Sequence, residues 1–474
     1  MRDQPQAVGE WKPILAGPLR DEAVRSIRAI AAAVRDLPGP LDRAAAADSS
    51  PSRRGDQHRT ADSAAGTRSR TNGIESPGSS LMAGSAGLAV LFAYLAEAGI
   101  GRGNSAIASA YLERAMAAVA QTPMDQSLYG GFTGIAWAVA HLRSGDGDEE
   151  STGAIDRLIR QQVRRRPWRG PYDLVAGLVG LGVYALERLP APVAAQSVAA
   201  VVDRLGEIAE PRSTGVTWYT SGEQIPSPAG GRGGQYNLGM AHGVPGVIAF
   251  LGQVCANSPA ASGPSAPPTP LRGLTPGARR ALAGAAAKAR PLLEGAVAWL
   301  LAQNGDTDSA FPYCVGPRIK PVPARLAWCY GDLGIAFALL VAARGGARPE
   351  WEREALRAAR RAAAQPFERS GVADCGLCHG AAGAGHLFNR LYQATGEAWL
   401  RVAAQVWFRR TLKMRRTGRG IAGYSAFRQG AFLTDPGILE GAGGIALALA
   451  AAVTPVAPDW DRLLLLSIPP RPAA

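Results

Sequence analysis

Seven times along the chain a glycine is followed three residues later by a second glycine and then by an unbroken small and apolar run. The copies are "GSAGLAVLF" from Gly84, "GFTGIAWAV" from Gly131, "GLVGLGVYAL" from Gly177, "GVPGVIAF" from Gly243, "GDLGIAFALL" from Gly331, "GAAGAGHLF" from Gly380 and "GAGGIALALA" from Gly441. Before the copies lie segments such as "EAVRSIRAIAAAVRDL", "SAIASAYLERAMAAVA", "PVAAQSVAAVVDRLGEIA" and "EWEREALRAARRAAAQ", with apolar residues at helical spacing and charges on the other face. The unit is a pair of helices, and it recurs every 46 to 88 residues, the mark of a stacked helical array.

Such an array either opens into a superhelix or closes into a ring. Helices entered through Gly-x-x-Gly carry almost no charge, as burial on every side requires, whereas their partners are amphipathic. That contrast favours two concentric layers: an all-α, double-layered α/α toroid of seven helix-pair repeats. The glycines permit tight turns and close backbone approach between successive helices. The whole chain, 1–474, reads as one such domain. Segments 38–80 and 257–277, rich in Pro, Ser, Gly and Ala, read as mobile insertions. Residues 213–237 read as a long polar loop and a candidate substrate lip.

The reactive residues follow the same repeat. His242 and His379 immediately precede Gly243 and Gly380, and Cys329 and Cys378 lie two before Gly331 and Gly380. Equivalent offsets in repeats four, five and six bring these side chains to one end of a closed ring. Asp173, four before Gly177, is placed to join them. Two thiolates and an imidazole suit Zn²⁺, and three protein ligands leave the open position that a catalytic zinc needs. Cys329, Cys378 and His379 are that set. Two rivals stay open: "CGLCH" matches the Cys-x-x-Cys-His of covalent haem attachment, and Cys375 could complete a closed structural zinc site.

Composition excludes other classes. Five scattered cysteines and an N-terminus without a signal-peptide layout point to a reducing cytoplasm. No apolar stretch approaches the roughly 20 residues of a membrane span; "LLLLS" at 463–467 is far too short. The net charge of +13 is spread with a general Arg and Ala bias, so it argues a solvated surface and no nucleic-acid partner. A sugar-processing α/α barrel would need paired carboxylates, and Asp173 has no obvious partner in a matching register.

"YDLVAGLVG", "NLGMAHGVPG", "RLAWCYGDLG" and "LCHGAAG", in that order, with "WDRLLLLS" near the C-terminus, resemble the lanthionine synthetase cyclases over residues 81–468. The resemblance implies a zinc enzyme that closes thioether rings by adding peptide cysteine thiols to dehydroalanine or dehydrobutyrine. It assigns the zinc to Cys329, Cys378 and His379, acid/base roles to His242 and Asp173, and further site positions to Arg325 and Tyr330. Leu326 stands where an acidic residue is common in the family, and Cys375 is not a ligand in its pattern. In this reading His242, oriented by Asp173, protonates the enolate carbon, and Arg325 either stabilises the enolate oxygen or holds Asp173. No P-loop or kinase motif set is present, which implies a free-standing cyclase. Its partners would be a dehydrated precursor peptide with its leader, a separate dehydratase and a possible transporter complex. The competing function is a zinc-containing relative that binds peptides or adds glutathione without closing rings.

Overall fold

The structure is a computed structural model that describes residues 11–37, 78–143, 148–221, 234–258, 273–305, 311–317 and 319–470. Seven helices begin immediately after the first glycine of the seven Gly-x-x-Gly copies: α2 (Ser85–Glu97), α4 (Phe132–Leu142), α6 (Leu178–Glu187), α8 (Val244–Ala256), α10 (Asp332–Gly346), α12 (Ala381–Thr395) and α14 (Ala442–Val453). They alternate with α1 (Gly17–Arg35), α3 (Asn104–Gln121), α5 (Asp148–Val163), α7 (Pro192–Glu207), α9 (Pro276–Leu301), α11 (Pro349–Ala364) and α13 (Ala398–Lys413). Burial separates the two sets. All twelve residues of α14 and all fifteen of α10 are buried, whereas α11 buries only Ala355, Ala358, Ala359 and Ala362, a single stripe at helical spacing.

Each inner helix packs on the next, α2 on α4 and so on to α14, and α14 packs back on α2. The ring is closed, and the chain is a double-layered α/α toroid. The N-terminal α1 packs on α14, joining the two ends of the chain.

A belt of backbone hydrogen bonds closes the ring at the helix starts. Met82 N donates to Tyr129 O, Tyr129 N to Val175 O, Leu174 N to Ala241 O, Ala241 N to Cys329 O, Cys329 N to Cys378 O, Cys378 N to Leu439 O and Leu439 N to Met82 O, at 2.9–3.5 Å. The accepting residues all lie two before the first glycine of their repeat. None of the seven inner helices has a side-chain N-cap. In five of them the first amide instead donates to the carbonyl seven residues earlier, as Ala381 N does to Asp374 O at 2.9 Å. The chain thus folds back over its own helix start and satisfies donors that a helix leaves open. This close return explains the second glycine of each motif: a Cβ on Gly383 would lie 2.0 Å from Leu377 O. At Gly331 the backbone itself demands glycine, with φ at +93°.

Below the belt the lumen is filled by the C-terminal segment. A 3₁₀ turn, Asp459–Leu464, presents carbonyls to the lumen side chains: Trp328 Nε1 donates to Leu464 O (3.0 Å) and the Tyr129 hydroxyl to Leu463 O (2.8 Å). Trp460, Leu463 and Leu464 pack on Leu81, Leu377 and Ile438 with no room for a water molecule. Asp461, fully buried, is held by His386 Nε2 (2.7 Å) and bidentately by Arg390 (2.6 Å each). "WDRLLLL" is therefore a plug.

Among the described residues six short strands form three antiparallel pairs: β1 (Glu210–Arg212) with β2 (Gly215–Thr217), β3 (Tyr236–Asn237) with β4 (Cys314–Val315), and β5 (Ala426–Arg428) with β6 (Ala431–Leu433). The stretch 213–237 is only partly the polar loop expected, because Trp218, Gln235 and Asn237 are buried. Residues 222–233 of that stretch lie outside the described residues, as do 38–77 and 259–272 of the two expected insertions. The ends of those insertions belong to the fold: Gly78 O caps Ser85 N at 2.7 Å, and Thr275 Oγ1 caps Ala278 N at the start of α9.

Two predictions follow from this packing. Gly383→Ala should cost about 3 kcal/mol or more by steric conflict with backbone. Gly284→Ala, whose Cβ would meet nothing within 4 Å on α9, should gain about 0.5–1 kcal/mol. Urea unfolding of both variants compares them directly. Burial and Arg390 respectively hold the folded pKa of His386 below its ordinary value and, against burial, that of Asp461 below its own. Both groups bind fewer protons folded than unfolded. Their stabilisation is present above the unfolded pKa values, about 6.5 and 3.9, and is lost as pH falls through the folded ones. Asp461→Asn should cost about 3–5 kcal/mol at neutral pH and make acid unfolding shallower.

Candidate metal centre

The belt fixes the geometry of the site. Cys329 and Cys378 are the residues of two successive belt loops that are bonded to each other through Cys329 N and Cys378 O. The neighbouring register, one before each glycine, carries His242, Tyr330, His379 and Glu440 on four successive repeats. One sulfur or nitrogen from each of Cys329, Cys378 and His379 lies within 4.8 Å of the others. Among the described residues no other group of three such side chains meets that condition. The three residues come from separate turns of a rigid ring, so the donor set is assembled by the fold itself.

The electrostatics suit a cation. Hydrogen bonding from Cys378, then from His379, with the charge of Arg325, holds the Cys329 thiol well below the usual thiol range despite its burial. The same Cys329 contact, with burial, holds Cys378 well above it. The two sulfurs titrate as a pair, one favoured as thiolate and the other as thiol. Burial lowers the His379 imidazole, but the hydrogen bond to Cys329 and the charges of Cys329 and Asp374 outweigh it, and the net shift is upward. His379 Nδ1 is buried with no hydrogen-bond partner. An orphaned imidazole nitrogen beside two thiols is a costly arrangement without a ligand and a natural one with a bound metal ion.

Arg325 Nη2 donates to Cys329 Sγ, 3.7 Å away, a partner other than the Asp173 or enolate oxygen expected for it. Its Nε is buried and unpaired. Tyr330 adjoins Cys329 in the chain, accepts from Asn237 Nδ2 at 2.9 Å, and meets the Tyr313 ring at a tilt, centroids 5.0 Å apart; burial raises its pKa. His242 lies outside the three-residue cluster, on the next belt loop. Its Nδ1 is 2.6 Å from Asp173 Oδ2. Asp173 is 3% exposed while the His242 side chain is 29% exposed, so the pair is anchored at the carboxylate and open at the imidazole. The remaining nitrogen, Nε2, is left for an external partner.

Cys375 takes no part. Its thiol donates to Thr411 O at 3.7 Å and burial raises its pKa. Neither rival reading gains support, since Cys375 is not among the clustered donors. His386 serves the C-terminal plug, and His141 is buried between Tyr94 and Glu187. His58 lies outside the described residues.

Three residues at the site escape the sequence reading. Asp374 and Glu440 flank His379, with Oδ2 3.8 Å from Nε2 and Oε1 3.9 Å from Nδ1. Arg428 bridges Glu440 and Asp435. Their signal was available: Asp125, Asn237, Asp374 and Asp435 all stand six before a first glycine, and each accepts from the amide two residues on. A carboxylate beside a ligating imidazole orients the ring through its second nitrogen.

Purified protein should hold one soft divalent ion per chain, with affinity falling on acidification because the donors bind only when deprotonated. Cys378→Ala should abolish it and Cys375→Ala should leave it in place. Elemental analysis of both variants checks this, and metal loss from Cys375→Ala would restore the closed four-ligand site.

Three comparisons bear on this arrangement. A search of curated protein sequences finds no match. Among solved structures the chain is similar to nisin cyclase, with a TM-score of 0.60 at 18% identity, covering 82% of this chain and 92% of that one. The model of the lanthionine synthetase C-like proteins matches residues 75–259 and 283–465, which together contain the belt, the cluster and the His242–Asp173 pair. On that match the chain belongs to the lanthionine synthetase C-like family.

Proposed function

We propose that the protein is a zinc-dependent lanthipeptide cyclase. The reading is carried by one juxtaposition: a three-donor cluster and a carboxylate-anchored histidine on adjacent loops of one hydrogen-bonded belt. Cys329, Cys378 and His379 would hold zinc, which when bound keeps an incoming peptide thiol in its thiolate form. The sulfur forms its bond to the β-carbon of a dehydroalanine or dehydrobutyrine, and the alkene electron pair moves onto the α-carbon and its carbonyl.

His242 Nε2 delivers the proton that the α-carbon then takes. Asp173 accepts from Nδ1, so the neutral ring offers Nε2 as a base: it takes the proton that the incoming thiol loses, and Asp173 holds the imidazolium until that proton passes to the α-carbon. Arg325, aimed at Cys329, tempers the charge on that sulfur and keeps it a ligand. Tyr330 and Asn237 form a hydrogen-bonded wall that holds the loop between the two centres. The substrate is a dehydrated precursor peptide, made by a separate dehydratase, and the setting is the cytoplasm.

His242→Ala should keep its metal and its fold and slow ring closure by roughly 10²–10⁴-fold. Dehydrated precursor incubated with the variant is quenched with a thiol-alkylating reagent at early times, since ring closure consumes cysteines without changing peptide mass. Cysteine consumption at the wild-type rate would overturn the acid role. If the wild-type protein instead raises the mass of dehydrated peptides by whole glutathione units and leaves their cysteines free, the family's non-cyclising activity is the correct one.

A further inference from the structure

The β5–β6 hairpin has features that the toroid does not require. Among the described residues β6 pairs only with β5, and all three of its residues are exposed. Phe432 and Leu433 are 64% and 45% exposed, adjacent large apolar side chains in open solvent. A soluble protein rarely leaves an aromatic and a leucine side by side on a free strand edge without a partner for them.

The hairpin is also tied to the metal centre. Phe427 N donates to Asp374 Oδ2 at 2.8 Å, and Arg428 bonds Asp435 and Glu440. Asp374 and Glu440 are the two carboxylates that flank His379. Phe427 stands directly opposite Phe432 in register, with ring centroids 5.0 Å apart, so the exposed pair is one strand away from these anchors. Strands lie about 5 Å apart, which puts a chain added to the outer edge of β6 roughly 10 Å from β5, about three residues of extended peptide.

We propose that this hairpin docks the substrate peptide: an extended segment two to four residues from the reacting cysteine lies along β6, with an apolar side chain against the Phe427–Phe432 pair on one face of the hairpin. Main-chain hydrogen bonds to the free edge give affinity for any sequence, and the apolar pair selects among sequences. The inference rests on the cyclase reading, because it places the peptide by its thiol at the metal centre.

The test uses the full chain loaded with Co²⁺, whose thiolate absorption, already present from Cys329 and Cys378, gains intensity when a further thiol binds without turnover. The probes are two blocked synthetic peptides with one cysteine and no dehydro residue, differing only in Leu or Ser three residues from the cysteine. Wild type should bind the Leu peptide about tenfold more tightly. The Phe432→Ser, Leu433→Ser double variant, altered only at exposed side chains, should hold the same cobalt and bind both peptides as wild type binds the Ser peptide. Equal affinity in wild type, or a preference that survives in the variant, overturns the role of the hairpin alone. Bound cobalt with no gain in thiolate absorption from either peptide or from 2-mercaptoethanol, in wild type and variant alike, overturns the thiol-binding reading beneath it.

Discussion

The seven-membered belt of backbone hydrogen bonds is the constraint on which both fold and site depend. Each inner helix has open amides at its start and no side chain to cap them. In five of these helices the preceding loop satisfies the first amide by folding back, and around the belt the backbone groups of neighbouring loops pair with one another. Pairing them in sequence closes the ring. It also sets adjacent repeats at hydrogen-bonding distance, close enough for one side chain from each of two loops to share a ligand. Cys329 and Cys378 occupy two such positions, so the geometry of the donor set follows from the closure of the toroid.

Closure has a second consequence. A ring of buried helices needs its lumen filled, and the 3₁₀ turn at Asp459–Leu464 does so from below, giving its carbonyls to Trp328 and Tyr129. Those two residues sit in and just below the belt. The site is therefore floored by apolar packing, and beside it the His242 side chain is partly exposed. A dry floor strengthens the field of Arg325 and Asp374 on the sulfurs and the imidazole.

The glycine repeat made the toroid legible in the sequence because each second glycine answers a steric demand that recurs identically, as the 2.0 Å approach at Gly383 illustrates. The cluster was legible for the same reason: residues at one offset from a repeating turn must gather at one end of a ring. What lay hidden is what the repeat does not govern. Arg325 stands six before Gly331, yet its partner depends on a side-chain path that no offset encodes. Glu440 shares the register of His379, but only the β5–β6 hairpin, a loop excursion with no helical period, shows why a carboxylate belongs there. Trp218 and Gln235 were hidden inside a stretch whose average composition is polar, since burial follows the individual residue and not the average. "WDRLLLL" shows no period because the lumen contacts it on all sides.

The central claim is that the belt presents a three-donor metal centre with a position kept open for a thiol. X-ray absorption at the metal edge of the purified protein tests it most directly. The account predicts two sulfur donors and one imidazole nitrogen with a single oxygen-type ligand, and the replacement of that ligand by a third sulfur when a cysteine peptide is added. A coordination shell already saturated by four protein donors, or one that does not change when the thiol is added, would contradict it.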